Sequence, residues 1–428
     1  MSKVKKKVHE IYVHFLHDSL YRNSITLMID TGLLGVFGFV FWYLGAHLYS
    51  QTAVGIATTL ISSSVLIASI SVIGFDNSFT RYMKHSNNPQ QLYRTGVTVV
   101  CLTATALSSL YVLFLPHLTN QLNIFSSNLL YPLSFIALVI FASLNTITNG
   151  VFLSFRSAKY ILYSNVNLSI VKVVLPFILV SIATLGLYLS HVVGMVVGAF
   201  TSLYYIKKKY KHTLKFNINK TILKEVAKYN FFTHFSNLFQ NAPMQIVPLI
   251  IASKLNLAQS AAFYLAVTTS NLLYIIPNAI SSSLFAEVSH DSSVLRAHIA
   301  RALKLLIIIL APILLLAIVL SDKLMLVFGS DYVVASTQTF KILALSIIFV
   351  SINIVASGIL KATNHTRALF NINFLGAVVF LLLTLGLVQK GLVAVAWTWF
   401  FTQAIVSLMF ISTFYGLKIF HKTPIKIN

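Results

Sequence analysis

The sequence predicts an all-α polytopic membrane protein, with 12 transmembrane helices in two parallel six-helix lobes around a central cavity. Three observations lead there. The chain is 57% hydrophobic and 9% charged, against about 25% charged in an ordinary soluble domain. Apolar runs long enough to cross a bilayer as helices recur along its whole length, which argues against the short alternating segments of a membrane barrel. Near the midpoint, residues 205–229 hold eight lysines. Such a stretch cannot enter hydrocarbon, because each central charge costs several kcal/mol. It divides the chain into two halves of similar length.

The elements follow in order. Residues 1–22 read as a cytoplasmic amphipathic segment, with Val8, Ile11, Phe15, Leu16 and Leu20 on one helical face. The first lobe, 23–206, carries spans at 24–45, 53–75, 95–115, 129–153, 161–184 and 187–206. Residues 207–228 form the basic cytoplasmic linker. The second lobe, 229–428, carries spans at 229–253, 259–285, 302–320, 339–360, 368–388 and 391–415, then a short tail. The even number puts both termini on one side. Lysine and arginine crowd that side, from Lys3 to Lys7, through Arg81, Arg94, Arg156 and the linker, to Lys361, Arg367 and Lys418. The opposite loops hold only Lys254, Lys323 and Lys390. The bias predicts cytoplasmic termini in a multi-pass protein of the cell membrane.

Composition and motifs narrow the function. The net charge of +22 is distributed by topology, so no nucleic-acid partner is needed to explain it. The single cysteine, Cys101, excludes disulfides and cysteine-based metal sites. No phosphate-binding loop, zinc-protease motif or nucleophile elbow occurs. The aqueous loops are too short for a catalytic domain. The reading is therefore not an enzyme, with no cofactor and no metal.

Each half starts on the same side, so the halves are parallel repeats rather than inverted ones. Letters recur accordingly. Gly150, Lys159 and Asn165 return as Gly358, Arg367 and Asn373, each 208 residues later, and Asn23 returns as Asn230, 207 later.

Polar residues inside the spans carry the functional signal, because lipid cannot satisfy them. The seventh span is richest. Asn230, Thr233, His234, Asn237, Gln240, Asn241 and Gln245 recur every three or four residues and are read as one face. Pro243 and Pro248 interrupt its hydrogen-bond ladder. The stripe either faces a water-filled cavity or bonds to neighbouring helices; its length favours the cavity. In the first span Asn23, Thr26 and Asp30 share a face. Asp30 is the one carboxylate well inside a span and is the candidate ion-coupling site for a proton or Na⁺; the alternative is a carboxylate held by a neighbouring cation. The fifth span aligns Asn165, Ser169 and Lys172. Lys172, a deep cation, needs a partner, either Asp30 or a ligand phosphate. The milder faces formed by Asn145 and Asn149, and by Ser346, Asn353 and Ser357, read as helix packing.

Several stretches then resemble a known family. Phe39-Val-Phe-Trp-Tyr-Leu-Gly-Ala-His-Leu-Tyr-Ser, Val54-Gly-Ile-Ala-Thr-Thr-Leu-Ile-Ser and Ile73-Gly-Phe-Asp-Asn-Ser-Phe-Thr-Arg-Tyr are similar to the start of polysaccharide transporters. These belong to the multidrug/oligosaccharidyl-lipid/polysaccharide exporter superfamily. Val327-Phe-Gly-Ser-Asp-Tyr, Gly358, Asn364-His-Thr-Arg and Gly391 fit the second half. The resemblance implies alternating access by two lobes and a lipid-linked sugar as cargo. The expected function is a flippase for a polyprenyl-diphosphate-linked oligosaccharide in cell-surface polysaccharide assembly. Its candidate substrate residues are Lys172, Asn165, Asn230, His234, Asn237, Gln240 and Asn241, and membrane lipids are its other partners. An ion-coupled drug or cation antiporter of the same fold, and a membrane enzyme acting on sugar lipids, are the alternatives.

Overall fold

The computed structural model describes residues 19–118, 125, 128–281, 295–363 and 365–417. The amphipathic segment read at the N-terminus lies almost wholly outside them. Among the described residues the chain is helical, with no strand. The first half runs α1 (Ser19–Leu48), α2 (Gln51–Ser71), a short α3 (Phe75–Tyr82), α4 (Pro89–Leu118), α5 (Leu130–Ser154), α6 (Ala158–Ile178) and α7 (Thr184–Tyr205). A π-helical turn, Ile206–Tyr210, ends it. The second half runs α8 (Lys220–Lys254), α9 (Leu257–Leu273), α10 (Leu295–Val319), a short α11 (Ser321–Leu326), α12 (Ser330–Leu345), α13 (Ile347–Ala362), α14 (Thr366–Leu387) and α15 (Leu392–Gly416).

Among the described residues, nine helices are long and apolar enough to cross a membrane. A tenth pass is the pair α12 and α13, bent by 43°. Its bend falls at Ser346, whose hydroxyl donates to the Leu343 carbonyl at 2.6 Å. This pass starts at Ser330 rather than near 339, because Ser336, Thr337 and Thr339 are buried against the protein and not exposed to lipid. The remaining two of the twelve expected spans fall on helices that do not meet the same measure of length and apolarity. The apolar part of α10, Lys304–Val319, is short, and α8 is 35 residues long but interrupted by polar side chains along its length. Local chemistry sets several starts. Ser50 caps α2, Asn219 caps α8 and Asn256 caps α9, each accepting from backbone N–H groups of the first turn.

The hydrophobic core shows how the halves meet. At the end of the bundle away from the linker, one buried cluster runs through both, from Phe41, Val54 and Leu60 to Phe263, Phe340 and Val395. At the linker end there are two clusters. One, around Phe75, Phe79 and Tyr93, is built from the first half together with Val226 at the start of α8. The other, around Leu306, Ile359 and Phe410, belongs to the second. The lobes therefore share one core at the far end and keep distinct cores at the linker end, where α8 still touches the first lobe through Val226 and through His234 against Asp76. Close contacts make the joint. A side chain at Gly55 would collide with the Leu257 carbonyl, so glycine there lets α2 and α9 touch through their backbones. Thr59 Oγ1 and Ser260 Oγ lie 3.2 Å apart across the same seam. Trp42 meets Tyr264 edge-on with centroids 4.9 Å apart, and Phe39 meets Phe328 at 5.2 Å.

Candidate functional site

Two polar groups stand out, one inside the first lobe and one along α8. The first begins at Asp30 on α1. The carboxylate is 5% exposed, and Asn165 on α6 donates to both its oxygens, at 3.0 and 2.9 Å. The helix pair that holds them is fastened at each end. Asn23 Oδ1 accepts from the Ala158 amide at 2.7 Å, capping the start of α6. At the other end the Tyr49 hydroxyl donates to the Pro176 carbonyl at 2.8 Å. Asn23 thus has a structural task, which its position in a polar stripe did not reveal.

Lys172 lies two turns further along α6 and is also buried. Among the described residues no carboxylate or hydrogen-bond acceptor meets its Nζ, which sits 5.0 Å from the centre of the Phe41 ring. Asp30 is held by Asn165 instead, so the lysine–aspartate pair considered from the sequence does not form. His191 on α7 is the electrostatic neighbour of Lys172 and lies 6.0 Å from Phe41, ring centre to ring centre. Its Nδ1 is buried without a hydrogen-bond partner. Gly194, one turn on, lets α7 close onto the lysine, since a Cβ there would lie 3.1 Å from Lys172 Cβ. Phe41 and His191 were invisible as site residues in the sequence, because nothing local marks them.

The second group is a cavity of about 130 Å³ between the lobes, lined by Asp76, Thr146, His234, Asn237, Asn241 and Gln245 among others. Asp76 sits on α3, the short helix between two passes, which starts after Gly74 in the left-handed region at φ 79°. His234 interacts electrostatically with Asp76 across the lobe boundary. Burial pushes the Asp76 carboxyl up, while the Asn77 hydrogen bond and the His234 charge oppose that shift. Asn237 accepts a hydrogen bond from Lys361 Nζ at 3.1 Å, and the Asn241 amide donates to the Asn237 carbonyl at 2.9 Å.

The polar residues of α8 do not form one face. His234, Asn237, Asn241 and Gln245 border this cavity, whereas Gln240 lines a smaller one, about 40 Å³, inside the second lobe with Asn353, Asn373, Trp399 and Gln403. The physical reason is that positions three and four apart span a wide arc of a helix. A stripe dense enough to include both offsets wraps around α8 and is shared between two neighbours. The side chain of Asn230 lies outside the described residues. Asp76 and Lys361 complete the site and were missed, because each looked like an ordinary charge at the end of a span.

Two lobes that share one core at the far end and keep distinct cores at the linker end, with buried polar groups in each, make a two-lobed helical membrane bundle. Sequence comparisons give the family. The model of a family described as polysaccharide biosynthesis protein matches residues 20–286, and the MatE model matches residues 233–385. The chain belongs to the polysaccharide biosynthesis protein family. No curated protein matches it. Among solved structures, it is similar to an inward-facing multidrug resistance MATE family transporter, with a TM-score of 0.72 and 14% identity over 95% of this chain and 100% of that one. The outward-facing conformation of such a transporter gives 0.65 at 14% identity, over 96% and 99%. A MOP superfamily transporter from Pyrococcus furiosus, described as having a binding pocket of reversed polarity, gives 0.60 at 14%, over 95% and 96%. At this identity the likeness establishes the two-lobe fold.

Proposed function

We propose that the protein is a flippase that carries a polyprenyl-diphosphate-linked oligosaccharide from the cytoplasmic to the outer leaflet by alternating access. The sugar and diphosphate occupy the polar space between the lobes while the polyprenyl tail stays in lipid. Lys172 supports this reading most directly. A buried cation without a carboxylate is costly, and an anionic ligand removes that cost through charge-assisted hydrogen bonds. Lys361 on Asn237 offers a second cation. Asn165 and the His234, Asn237 and Asn241 group supply neutral partners, with Asn230 as a further member read from the sequence, while Gln240 faces the second lobe's own cavity. Both termini and the linker lie in the cytoplasm on this reading, so the lack of a shared core at the linker end corresponds to the inward-facing state. Residues 23–206 and 229–428 act as the moving lobes.

Asp30 is the proposed coupling site for a proton or Na⁺. It also favours a second reading, an ion-coupled drug or cation antiporter, because Asp30 and Asp76 suit cationic cargo. Reconstituted vesicles separate the two. A fluorescent sugar lipid should cross leaflets faster than in empty vesicles, while a cationic dye should not be carried. Dye transport with an immobile sugar lipid would reject the flippase. Orientation is tested with Cys101→Ser protein carrying Ser330→Cys or Ser86→Cys. An impermeant thiol reagent should reach the first from outside the cell and not the second; the opposite pattern reverses the assignment.

A further inference from the structure

Residues 211–219 connect the two lobes without regular secondary structure, and they alternate. One set faces α4. Gln90 Nε2 donates to the carbonyl and hydroxyl oxygens of Thr213 at 3.1 Å each, and Arg94 donates to the same hydroxyl at 2.9 Å. The Asn217 amide donates to Thr98 Oγ1 at 2.9 Å, and the Asn219 amide donates to Thr95 Oγ1 at 3.2 Å. The other set points away from the protein. Leu214, Phe216 and Ile218 are 54%, 80% and 46% exposed. Three apolar side chains in register on the outer side of a pinned segment are not what a water-facing linker requires.

Depth and charge identify what covers them. Arg94 is the last Lys, Arg, Asp or Glu of α4, and none follows from Thr95 to the helix end at Leu118. Thr98 lies one turn beyond it, about 6 Å along the axis. The segment therefore reaches the level where α4 enters the bilayer. Non-helical backbone is tolerated near that depth when protein groups satisfy it, and the hydroxyls of Thr95 and Thr98 do so. Around the apolar row, Lys207, Lys209, Lys211, Lys215, Lys220 and Lys224 are all exposed. Clustered lysines beside a span attract anionic headgroups.

We propose that residues 211–219 form an interfacial wedge in the leaflet at the linker end of the bundle. The Leu214, Phe216 and Ile218 row enters the headgroup–acyl boundary, and the surrounding lysines gather anionic phospholipid. The wedge ties the chain joining the lobes to α4 and to the leaflet together, so α8 starts from a fixed point.

The test uses full-length Cys101→Ser protein in vesicles of phosphatidylcholine with added phosphatidylglycerol. An environment-sensitive dye is placed on Phe216→Cys, on Ile218→Cys as a second position in the same row, and on Asn88→Cys as an aqueous control. Dye at 216 and 218 should be quenched by spin labels on lipid acyl chains and protected from iodide, with the reverse at 88. Spin-labelled phosphatidylglycerol should quench about twofold or more strongly than spin-labelled phosphatidylcholine at equal mole fraction. Iodide access at 216 and 218 without lipid quenching overturns the proposal. Equal quenching by the two lipids overturns it as well, since the lysines would then gather no anionic lipid.

Discussion

In the first lobe, Asn165 on α6 donates to Asp30 on α1. In the second, Asn373 on α14, 208 residues later, donates to the hydroxyl and carbonyl of Ser236 on α8, at 3.0 and 3.1 Å. The same repeat appears elsewhere. Ser202 and Ser164 donate to Asn145 Oδ1 in one lobe, and Ser407 donates to Asn353 Oδ1 in the other. Gly150 admits the Asp76 carbonyl and Gly358 admits the Ser281 hydroxyl, contacts a Cβ would obstruct. Where the lobes agree, the shared groups are neutral and join helices. At the positions of Lys172 and His191 they differ, and there the first lobe is ionisable. Position 208 beyond Lys172 is Phe380, and 208 beyond His191 is Trp399; these two rings pack edge-on with centroids 5.0 Å apart. One scaffold thus carries an apolar pair in one copy and a lysine–histidine pair in the other. The ionisable set of the first lobe is what the architecture does not need, and so is the place to look for transport chemistry.

The largest expected effect tests that asymmetry at Asp30. Asp30→Asn keeps the size of the side chain and a hydrogen-bonding group for Asn165 while removing the charge. It should abolish the dependence of transport on a proton or Na⁺ gradient. Ser236→Ala, at the matching site, should leave gradient dependence intact. Flux measured with and without an imposed gradient decides it, and retained dependence in Asp30→Asn would remove Asp30 as the coupling site.

Lys172 comes next. If its charge meets a diphosphate, Lys172→Ala should slow sugar-lipid transport about ten-fold or more, since 1.4 kcal/mol is a factor of ten. Lys172→Arg should keep part of the activity. Because Asp30 is bonded to Asn165 and not to Lys172, Lys172→Ala and Asp30→Asn should act independently on melting temperature. At the matching position, Phe380→Ala should act on melting, through the cavity it leaves against Trp399, with transport following stability. A Lys172→Ala protein that melts early and transports normally would make the lysine structural.

How much of this was legible follows from what each feature depends on. The two-lobe fold was, because hydrocarbon thickness and lysine placement act on local composition. The repeat was also visible, since Gly150 with Gly358 and Asn165 with Asn373 are letters at a fixed spacing. Partners were not. Asp30 and Asn165 are 135 residues apart, and only the packing of α1 on α6 decides that the amide, rather than Lys172 two turns along, reaches the carboxylate. The stripe on α8 was read as one face, but Gln240 turns to the second lobe while Asn237 and Asn241 turn to the first. Asp76 gave no sign of its partner, because a charge on a short helix after a span has the same local pattern whether it faces water or His234.

Where the lobes agree, equal effects are expected. Asn145→Ala and Asn353→Ala each remove the amide that joins neighbouring helices, leaving serine hydroxyls without that partner. Each should lower stability by about 0.5–2 kcal/mol, the scale of such bonds inside membranes. Melting temperatures of the two variants should fall together. A large drop in one alone would show that the repeat is one of sequence rather than of mechanical role.

The smallest effect concerns how the chain between the lobes is held, which is itself unequal: apart from the Asn219 cap on α8, its side-chain hydrogen bonds to helices run to α4 of the first lobe. His212 lies over Tyr93 with centroids 5.5 Å apart, and its Nδ1 is 2.9 Å from Gln90 Oε1. Burial holds its ring below the ordinary value of 6.5, since desolvation disfavours the charged form. The docked segment therefore binds fewer protons than the free one. Its docking is complete above pH 6.5 and weakens as pH falls through that value toward the lowered one. Hydrogen exchange at the Asn217 and Asn219 amides reads this directly, because both bond to α4 hydroxyls. Their protection, corrected for the intrinsic rate, should drop between about pH 7.5 and about pH 5.5, and no more steeply than about ten-fold per pH unit, the limit for one proton. His212→Gln cannot titrate and should show protection that does not change with pH. Protection in the unsubstituted protein that is equally flat would mean that the histidine does not hold the segment to the first lobe.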